Sequence, residues 1–284
     1  MTRPARAKNM KPAMKKTPIR PGSALAEEFW QRGKSDSCPI YDMHAHMGED
    51  YAIHFPLPTW QGMLRNMDAA GVRWTIFSHH WALFSPQLGN ACAIKAVRAC
   101  PGRFRAYLAV NPQYPQVIRR DLARFDGLRD VFVGLKFLAD YHRIAIGDDA
   151  YAPALEFAQD RKLPVLLHTW GGSPYDGAAE VRKVAAKYPA VTFLLGHSLN
   201  NRWDEATAIA REFPNTYLEL CSVLGVRGAV EKLVAGAGSD RLLFGTDLPW
   251  FDEHQGIGSL LSADITDQDI HNICHKNAQR ILGI

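Results

Sequence analysis

Histidine and aspartate stand at the ends of short apolar runs along this chain. His44 and His46 close the segment Cys-Pro-Ile-Tyr-Asp-Met-His-Ala-His that begins at Cys38. His168 ends Pro-Val-Leu-Leu-His, His197 ends Val-Thr-Phe-Leu-Leu-Gly-His, and Asp247 ends Leu-Leu-Phe-Gly-Thr-Asp. In a His-x-His at a strand end, residues i and i+2 share a face, so both imidazoles point to the same side. Paired neutral imidazoles chelate Zn, Fe, Ni or Cu better than Mg or Ca. His168 and Asp247 would complete the protein ligands of one divalent ion, Zn2+ first, with Mn2+, Fe2+ or Co2+ as the other choices. Such an ion lowers the pKa of a bound water towards ~7. The plain alternative is that His44 and His46 are polar loop residues near a turn.

Scattered ligands become one cluster only if the fold brings these strand ends together. Strand-like runs occur near residues 38–44, 72–78, 104–110, 131–137, 164–169, 191–196, 216–221 and 241–246. Helical spacing lies between them: Ala150–Arg161 places Ala154, Leu155 and Ala158 on one face, and Ala179–Tyr188 gathers Val181, Val184 and Ala185. Near-continuous apolar strands alternating with helices predict a parallel sheet covered by helices, and such units closing on themselves make a single α/β (β/α)8 TIM barrel. In that fold catalytic groups sit at the carboxyl ends of the strands. The last unit starts at Thr266-Asp-Gln-Asp269, a capping signature, and ends near Leu282 and Gly283. An open doubly wound sheet is disfavoured by the lack of a Gly-x-Gly-x-x-Gly or Walker-type motif.

The chain has 284 residues, a usual size for one barrel. Its formal charge of +4 misleads, because residues 1–20 hold seven basic side chains and no acidic ones, which leaves −3 on the rest. Residues 1–37 therefore read as a basic, largely disordered arm and lead-in, and 38–284 as the barrel domain. A targeting presequence or an anion-binding arm is the other reading of that tail. No window approaches the ~18 apolar residues of a membrane span. Five cysteines (Cys38, Cys92, Cys100, Cys221, Cys274) without CxxC pairing suggest reduced thiols and a cytoplasmic protein. The expected partner is a small-molecule substrate; no membrane is expected, nucleic acid has no aromatic interleaving to support it, and a homo-oligomer stays open.

With these segments in view, the chain resembles the amidohydrolase superfamily, in the branch that also holds the aminocarboxymuconate-semialdehyde and resorcylate decarboxylases. The resemblance rests on Asp42-Met-His-Ala-His46, Gly134-Leu-Lys-Phe137, Leu166-Leu-His-Thr169, Leu195-Gly-His-Ser198, Leu243-Phe-Gly-Thr-Asp-Leu-Pro249 and Asn277-Ala-Gln-Arg-Ile-Leu-Gly283. It implies that His44, His46, His168 and Asp247 are metal ligands. It also implies that His197 orients or activates a metal-bound water, or contacts substrate, and that Asp247 doubles as the proton acceptor. Asp42, two residues before the pair, is expected to share its face and fix an imidazole tautomer, or else to be a buried structural carboxylate.

Lys136 matches the strand-four lysine that is carbamylated in binuclear members; with the single metal expected here it is a substrate-carboxylate contact or a buried ion-pair partner. Trp170 and Trp250 sit on loops that would frame a pocket for a planar ligand, or simply pack the barrel mouth. His79 and His80 follow the second strand and could reach the same mouth, though they read first as a coincidental polar pair, and Cys221, with no base implied beside it, is not read as a nucleophile. The first functional reading is a metal-dependent hydrolase acting on a C–N or C–O bond. A non-oxidative decarboxylase of an aromatic or unsaturated acid is the alternative, and a non-catalytic metal-binding barrel is the second alternative.

Overall fold

The computed structural model describes residues 22–284. Eight parallel strands follow one another in chain order in a single sheet. They are β1 (Ile40–Met47), β2 (Val72–His79), β3 (Phe104–Val110), β4 (Phe132–Phe137), β5 (Pro164–Trp170), β6 (Thr192–Asn200), β7 (Thr216–Glu219) and β8 (Leu242–Leu243). Helix α1 (Ala24–Arg32) precedes the sheet, and α2 (Trp60–Ala70), α3 (Pro86–Ala99), α4 (Pro115–Arg124) and α5 (Ala139–His142) follow. After these come α6 (Ala152–Asp160), α7 (Ala178–Lys187), α8 (Trp203–Glu212), α9 (Ala229–Ala237) and α10 (Glu253–Ser262). Helices α11 (Asp267–His271) and α12 (Asn277–Leu282) flank a π-helical turn, Asn272–Lys276. This is the (β/α)8 barrel that the alternating pattern predicts. None of the described helices is long and apolar enough to cross a membrane.

The strands are apolar on both faces because both faces are buried. Inside, Tyr41, Met43, Ile76, Tyr107, Leu166, Leu194 and Leu243 fill the barrel's lumen. Their neighbours along the strands, such as Phe77, Phe104, Leu167 and Leu195, join the larger core beneath the helices. Leu166 lies two residues before His168 on β5, so the lumen packing supports the imidazole from below. Burying each such aliphatic side chain contributes about 1.5–3 kcal/mol.

The ring closes without a regular β8–β1 ladder. Met43 N–H donates to Phe244 O (3.0 Å), Asp247 N–H to His44 O (2.7 Å) and His46 N–H to Leu248 O (2.6 Å). A single bridge between Ala45 and Leu248 completes the seam.

The expectation of a disordered arm falls mostly on residues 1–21, outside the described residues. Within the expected lead-in, however, Ala24–Arg32 is helical. Ser23 caps it by accepting from Ala26 N–H, Leu25 and Ala26 are buried, and α1 packs on α10. The charge of the preceding tail masks this short amphipathic stretch. At the other terminus the Thr266–Asp269 capping box forms as read, and Gly283, at φ 69°, ends α12 in the left-handed conformation that glycine adopts at no steric cost.

Candidate active site

All five residues singled out by type and position meet at the carboxyl ends of the strands. The His44 and His46 rings lie 5.3 Å apart between centroids, His44 and His197 5.2 Å, and His168 and His197 4.9 Å. Asp247 Oδ1 is 3.1 Å from His46 Nε2 and 3.5 Å from His44 Nε2. Donor atoms of His44, His46 and Asp247 fall within 4.8 Å of one another. His168 is not in that tight group and stands instead against His197.

Each imidazole is oriented by a second group. His44 Nδ1 donates to Glu219 Oε2 (2.8 Å), which leaves Nε2 as the lone-pair nitrogen. His168 Nδ1 donates to Asp176 Oδ2 (2.8 Å), and His46 Nδ1 contacts Ser78 Oγ (3.2 Å). A carboxylate on the far nitrogen fixes the tautomer and raises the basicity of the near one. Glu219 and Asp176 were not among the residues read from sequence. A strand-end carboxylate flanked by Leu218 and Leu220 was the available signal for Glu219; for Asp176, a loop position eight residues after His168 offered none.

Asp42 does not fix an imidazole, contrary to the first of its two expected roles. Its Oδ1 accepts from the backbone N–H of His44 (3.0 Å) and Thr246 (3.1 Å), and its Oδ2 from the Thr246 hydroxyl. The pairing of β1 with β2 explains this: Asp42 pairs with Thr75 but Ala45 with Phe77, so a bulge intervenes and simple alternation fails there. Asp42 is the buried structural carboxylate, and it ties β1 to the turn that carries Asp247.

Two stretches hold unusual backbone. His197, Ser198 and Leu199 have φ of 65°, 47° and 52°, and Asp247 has φ of 63°. Non-glycine residues in this region cost of order 1–3 kcal/mol each and persist only where the surroundings over-determine them. Here they do. His197 N–H donates to Glu219 Oε2 (3.2 Å), Ser198 Oγ to Glu219 O (2.7 Å) and Leu199 N–H to Thr169 Oγ1 (3.1 Å).

Burial dominates the electrostatics. It holds His44 and His197 well below the usual imidazole range and His46 down at about 4, so these rings are neutral and able to act as ligands. Burial alone would push the Asp247 carboxyl up, but His44, His46 and His197 together hold it well below the ordinary carboxylate range. Burial brings Glu219 up to about 7. It also drives the Cys221 thiol well above its usual value, with Glu219 adding to the effect. Cys221 Sγ lies 3.0 Å from His197 Nδ1 and 3.2 Å from His44 Nδ1, yet it stays a thiol, which agrees with not reading it as a nucleophile.

Above the cluster opens a cavity of about 310 Å3 lined by His46, His79, His80, Tyr141, His168, Trp170, His197, Asp247, Trp250 and Phe251, among others. Trp170 stacks on His168 (6.0 Å, 11°), and Tyr141 meets the same ring edge-on (5.3 Å, 82°). His80 is no coincidental residue: it stacks on His46 at 4.9 Å and accepts from Trp250 Nε1 at 3.1 Å. Lys136, by contrast, does not line the cavity. It is fully buried beneath it, its Nζ donating to His44 Nε2 at 2.9 Å, and burial lowers it to about 8. Its ammonium therefore lies against the His44 nitrogen at the cavity floor and forms no part of the wall.

The donor set fits a divalent cation. Asp247 Oδ1 is a buried oxygen without a well-aligned hydrogen bond, and the His46 and His44 Nε2 atoms lie 3.1 and 3.5 Å from it, so the three donors can converge on one cation.

Comparison with known proteins places this geometry in context. Several solved structures share the fold. 2,6-Dihydroxybenzoate decarboxylase from Rhizobium aligns with a TM-score of 0.70 at 17% identity, over 87% of this chain and 99% of that one. An uncharacterized TIM-barrel protein from Bordetella bronchiseptica aligns at 0.72 and 20% identity, over 86% and 98%. A dihydroxybenzoic acid decarboxylase from Polaromonas, with bound manganese and the inhibitor 2-nitroresorcinol, aligns at 0.68 and 18%, over 87% and 97%. At these identities the likeness concerns the fold. No curated protein sequence matches the chain. The family model described as Amidohydrolase matches residues 41–284, the whole barrel from the first histidine strand to the last residue. With its strand-end histidines and aspartate gathered at one mouth, the chain belongs to the amidohydrolase family.

Proposed function

We propose that the chain is a divalent-metal-dependent enzyme that removes CO2 from a small aromatic or unsaturated acid. The observation that carries this reading is the pairing of an aromatic-walled cavity with the His44, His46 and Asp247 donor set at its floor. Walls of Trp170, Tyr141, Trp250 and Phe251 suit a planar ring better than a flexible chain. The fold neighbours that act on dihydroxybenzoates support the same substrate class.

His44, His46, His168 and Asp247 would hold the ion, either zinc or the manganese seen in the Polaromonas protein. When bound, it supplies a Lewis acid that anchors the substrate's carboxylate and neighbouring oxygen. Trp170 and Trp250 seat the ring and exclude water. Asp247, ionised at rest, would take a proton from solvent water as the acid binds and deliver it to the ring carbon that bears the carboxylate, leaving hydroxide to the solvent. The C–C bond then breaks, its electron pair returns to the ring, and CO2 leaves. His197, with Nδ1 against Cys221, presents its other nitrogen to the cavity and orients the reacting group.

Hydrolysis of a C–N or C–O bond is the second reading, and one observation favours it. No lysine or arginine is among the described residues lining the cavity, so a carboxylate substrate finds no fixed cation there apart from the ion. The test is turnover of the Mn2+- and Zn2+-loaded protein on hydroxybenzoates, lactones and amides in D2O. Decarboxylation leaves one deuterium on the ring carbon, visible by NMR. Opening of lactones or amides without CO2 release would select the second reading, and metal-loaded protein inert on the whole panel would argue for a binding role.

A further inference from the structure

A second group of metal-competent side chains lies at the opposite end of the barrel. Cys38 stands just before β1, whereas His44 and His46 lie towards its other end. At ~3.3 Å per residue the six residues from Cys38 to His44 span about 20 Å. Ligand atoms of Cys38, His271 and His275 fall within 4.8 Å of one another, Cys38 being buried and the two imidazoles half-buried. His271, Cys274 and His275 follow an i, i+3, i+4 spacing that puts them on one helical face. The buried Cys274 thiol lies beside that of Cys38. The π-helical turn Asn272–Lys276 falls on this segment, and such interruptions recur at functional sites.

Hydrogen bonding sets the imidazoles for a ligand. Gln279 Oε1, an acceptor, lies 3.0 Å from His275 Nδ1, so that nitrogen carries the proton and Nε2 the lone pair. His271 Nδ1–H donates to that lone pair at 3.0 Å, close to the spacing of two donors on one small cation, so an ion bound here takes the place of the shared proton. A histidine ligand whose far N–H is held by a carbonyl is the usual arrangement around a metal.

We propose that Cys38, His271 and His275, with Cys274 beside them, form a second divalent-cation site of the zinc class, which fastens the lead-in of the first strand to the last helical segment. Mixed thiolate and imidazole donors select zinc-like ions over magnesium or calcium. The three donors lie at the end of the barrel away from the substrate cavity, on the face associated with stability, so the site is structural. As the sulfur–metal bond forms, the Cys38 thiol releases its proton to solvent.

The experiment strips the full-length chain with a chelator and titrates it with Co2+, following both stoichiometry and the near-ultraviolet thiolate-to-cobalt charge-transfer band. The band is expected in the parent protein, unchanged in Cys221→Ser and His168→Ala, and lost in Cys38→Ser together with one equivalent of cobalt. Gln279→Ala, which leaves the donors in place, should weaken this equivalent by about 10–100-fold. A full band in Cys38→Ser would overturn the proposal. So would recovery of Cys38 and Cys274 cross-linked to each other in freshly isolated protein that shows no band. Binding of a single equivalent, lost in His168→Ala, also overturns it and leaves the reading of the upper site intact. A single equivalent lost only in Cys38→Ser supports it and removes the metal from the proposed active site.

Discussion

Glu219 offers the sharpest test of how the upper site is held. Its Oε2 accepts from His44 Nδ1 (2.8 Å) and His197 N–H (3.2 Å), and its Oε1 from Cys221 N–H (2.6 Å). Glu219→Gln keeps the shape but must turn an NH2 towards one of these donors. With the NH2 on the Oε1 side it opposes the Cys221 amide; on the Oε2 side it opposes His44 and His197. Either way a buried donor loses its acceptor, at about 1–3 kcal/mol. For a domain of this size 1 kcal/mol is roughly 2–4 °C, so a fall in Tm of about 4–8 °C is a fair centre. In the second orientation His44 can escape the clash by moving its proton to Nε2, which silences the nitrogen that faces Asp247. Metal affinity at this site should then fall by about 10–100-fold, the usual scale for losing such a partner. The assay is thermal denaturation of the metal-free protein and Zn2+ titration. Both are run above pH 8, because burial places Glu219 at about 7 and the parent must be ionised. A lowered Tm with unchanged zinc affinity would refute the tautomer argument and leave Glu219 a packing residue.

Four further outcomes follow from the structure. His168→Ala should lose metal occupancy, whereas Asp247→Asn should keep the metal and lose two or more orders of magnitude in turnover, which metal analysis beside kinetics will separate; the reverse pattern would exchange their roles. Thr246→Val should strand Asp42 Oδ2 and the Leu248 amide, both held by the Thr246 hydroxyl, and cost about 1–3 kcal/mol in urea unfolding. Ser37, the Asp36 amide and Ser35 hold the Glu28 carboxyl at about 2, against an ordinary 4.5. The folded value is depressed, so this stabilisation is complete above pH 4.5 and fades as pH falls towards 2; Glu28→Gln should lack that part of the acid dependence, and parallel stability curves would exclude it. Trp170→Ala should raise KM for a planar acid more than it lowers kcat, since the indole walls the cavity and carries no reacting proton.

The barrel was legible because strands buried on both faces leave unbroken apolar runs, and their ends mark the candidate site residues directly. His44, His46, His168, His197 and Asp247 needed only that logic to be gathered. What escaped depends on depth and on partners. The bulge between Asp42 and Ala45 leaves no mark in the residue types, so alternation assigned Asp42 to the wrong neighbours. Glu219 resembles an ordinary strand residue until closure of the ring brings β7, next but one to β1, within reach of His44. Asp176 reaches His168 only through the fold of its loop. Lys136 was the right residue at the wrong height, since its side chain ends under His44 and not in the mouth. His80 joins the cavity through a short 3-10 turn after β2 that carries no hydrophobic period.

The seam between the first and last strands has a consequence for the order in which the molecule is built. His44 and His46 are bonded through their backbones to Asp247 and Leu248, about 200 residues later in the chain. These pairings are long-range, and closing so long a loop must be paid for before its contacts form. During synthesis the histidines emerge long before the aspartate that faces them. A chain truncated before β8 would carry two exposed imidazoles and no site. The donor set is therefore assembled by the same event that closes the ring, and metal capture at that mouth can serve as a clock for the completion of the barrel.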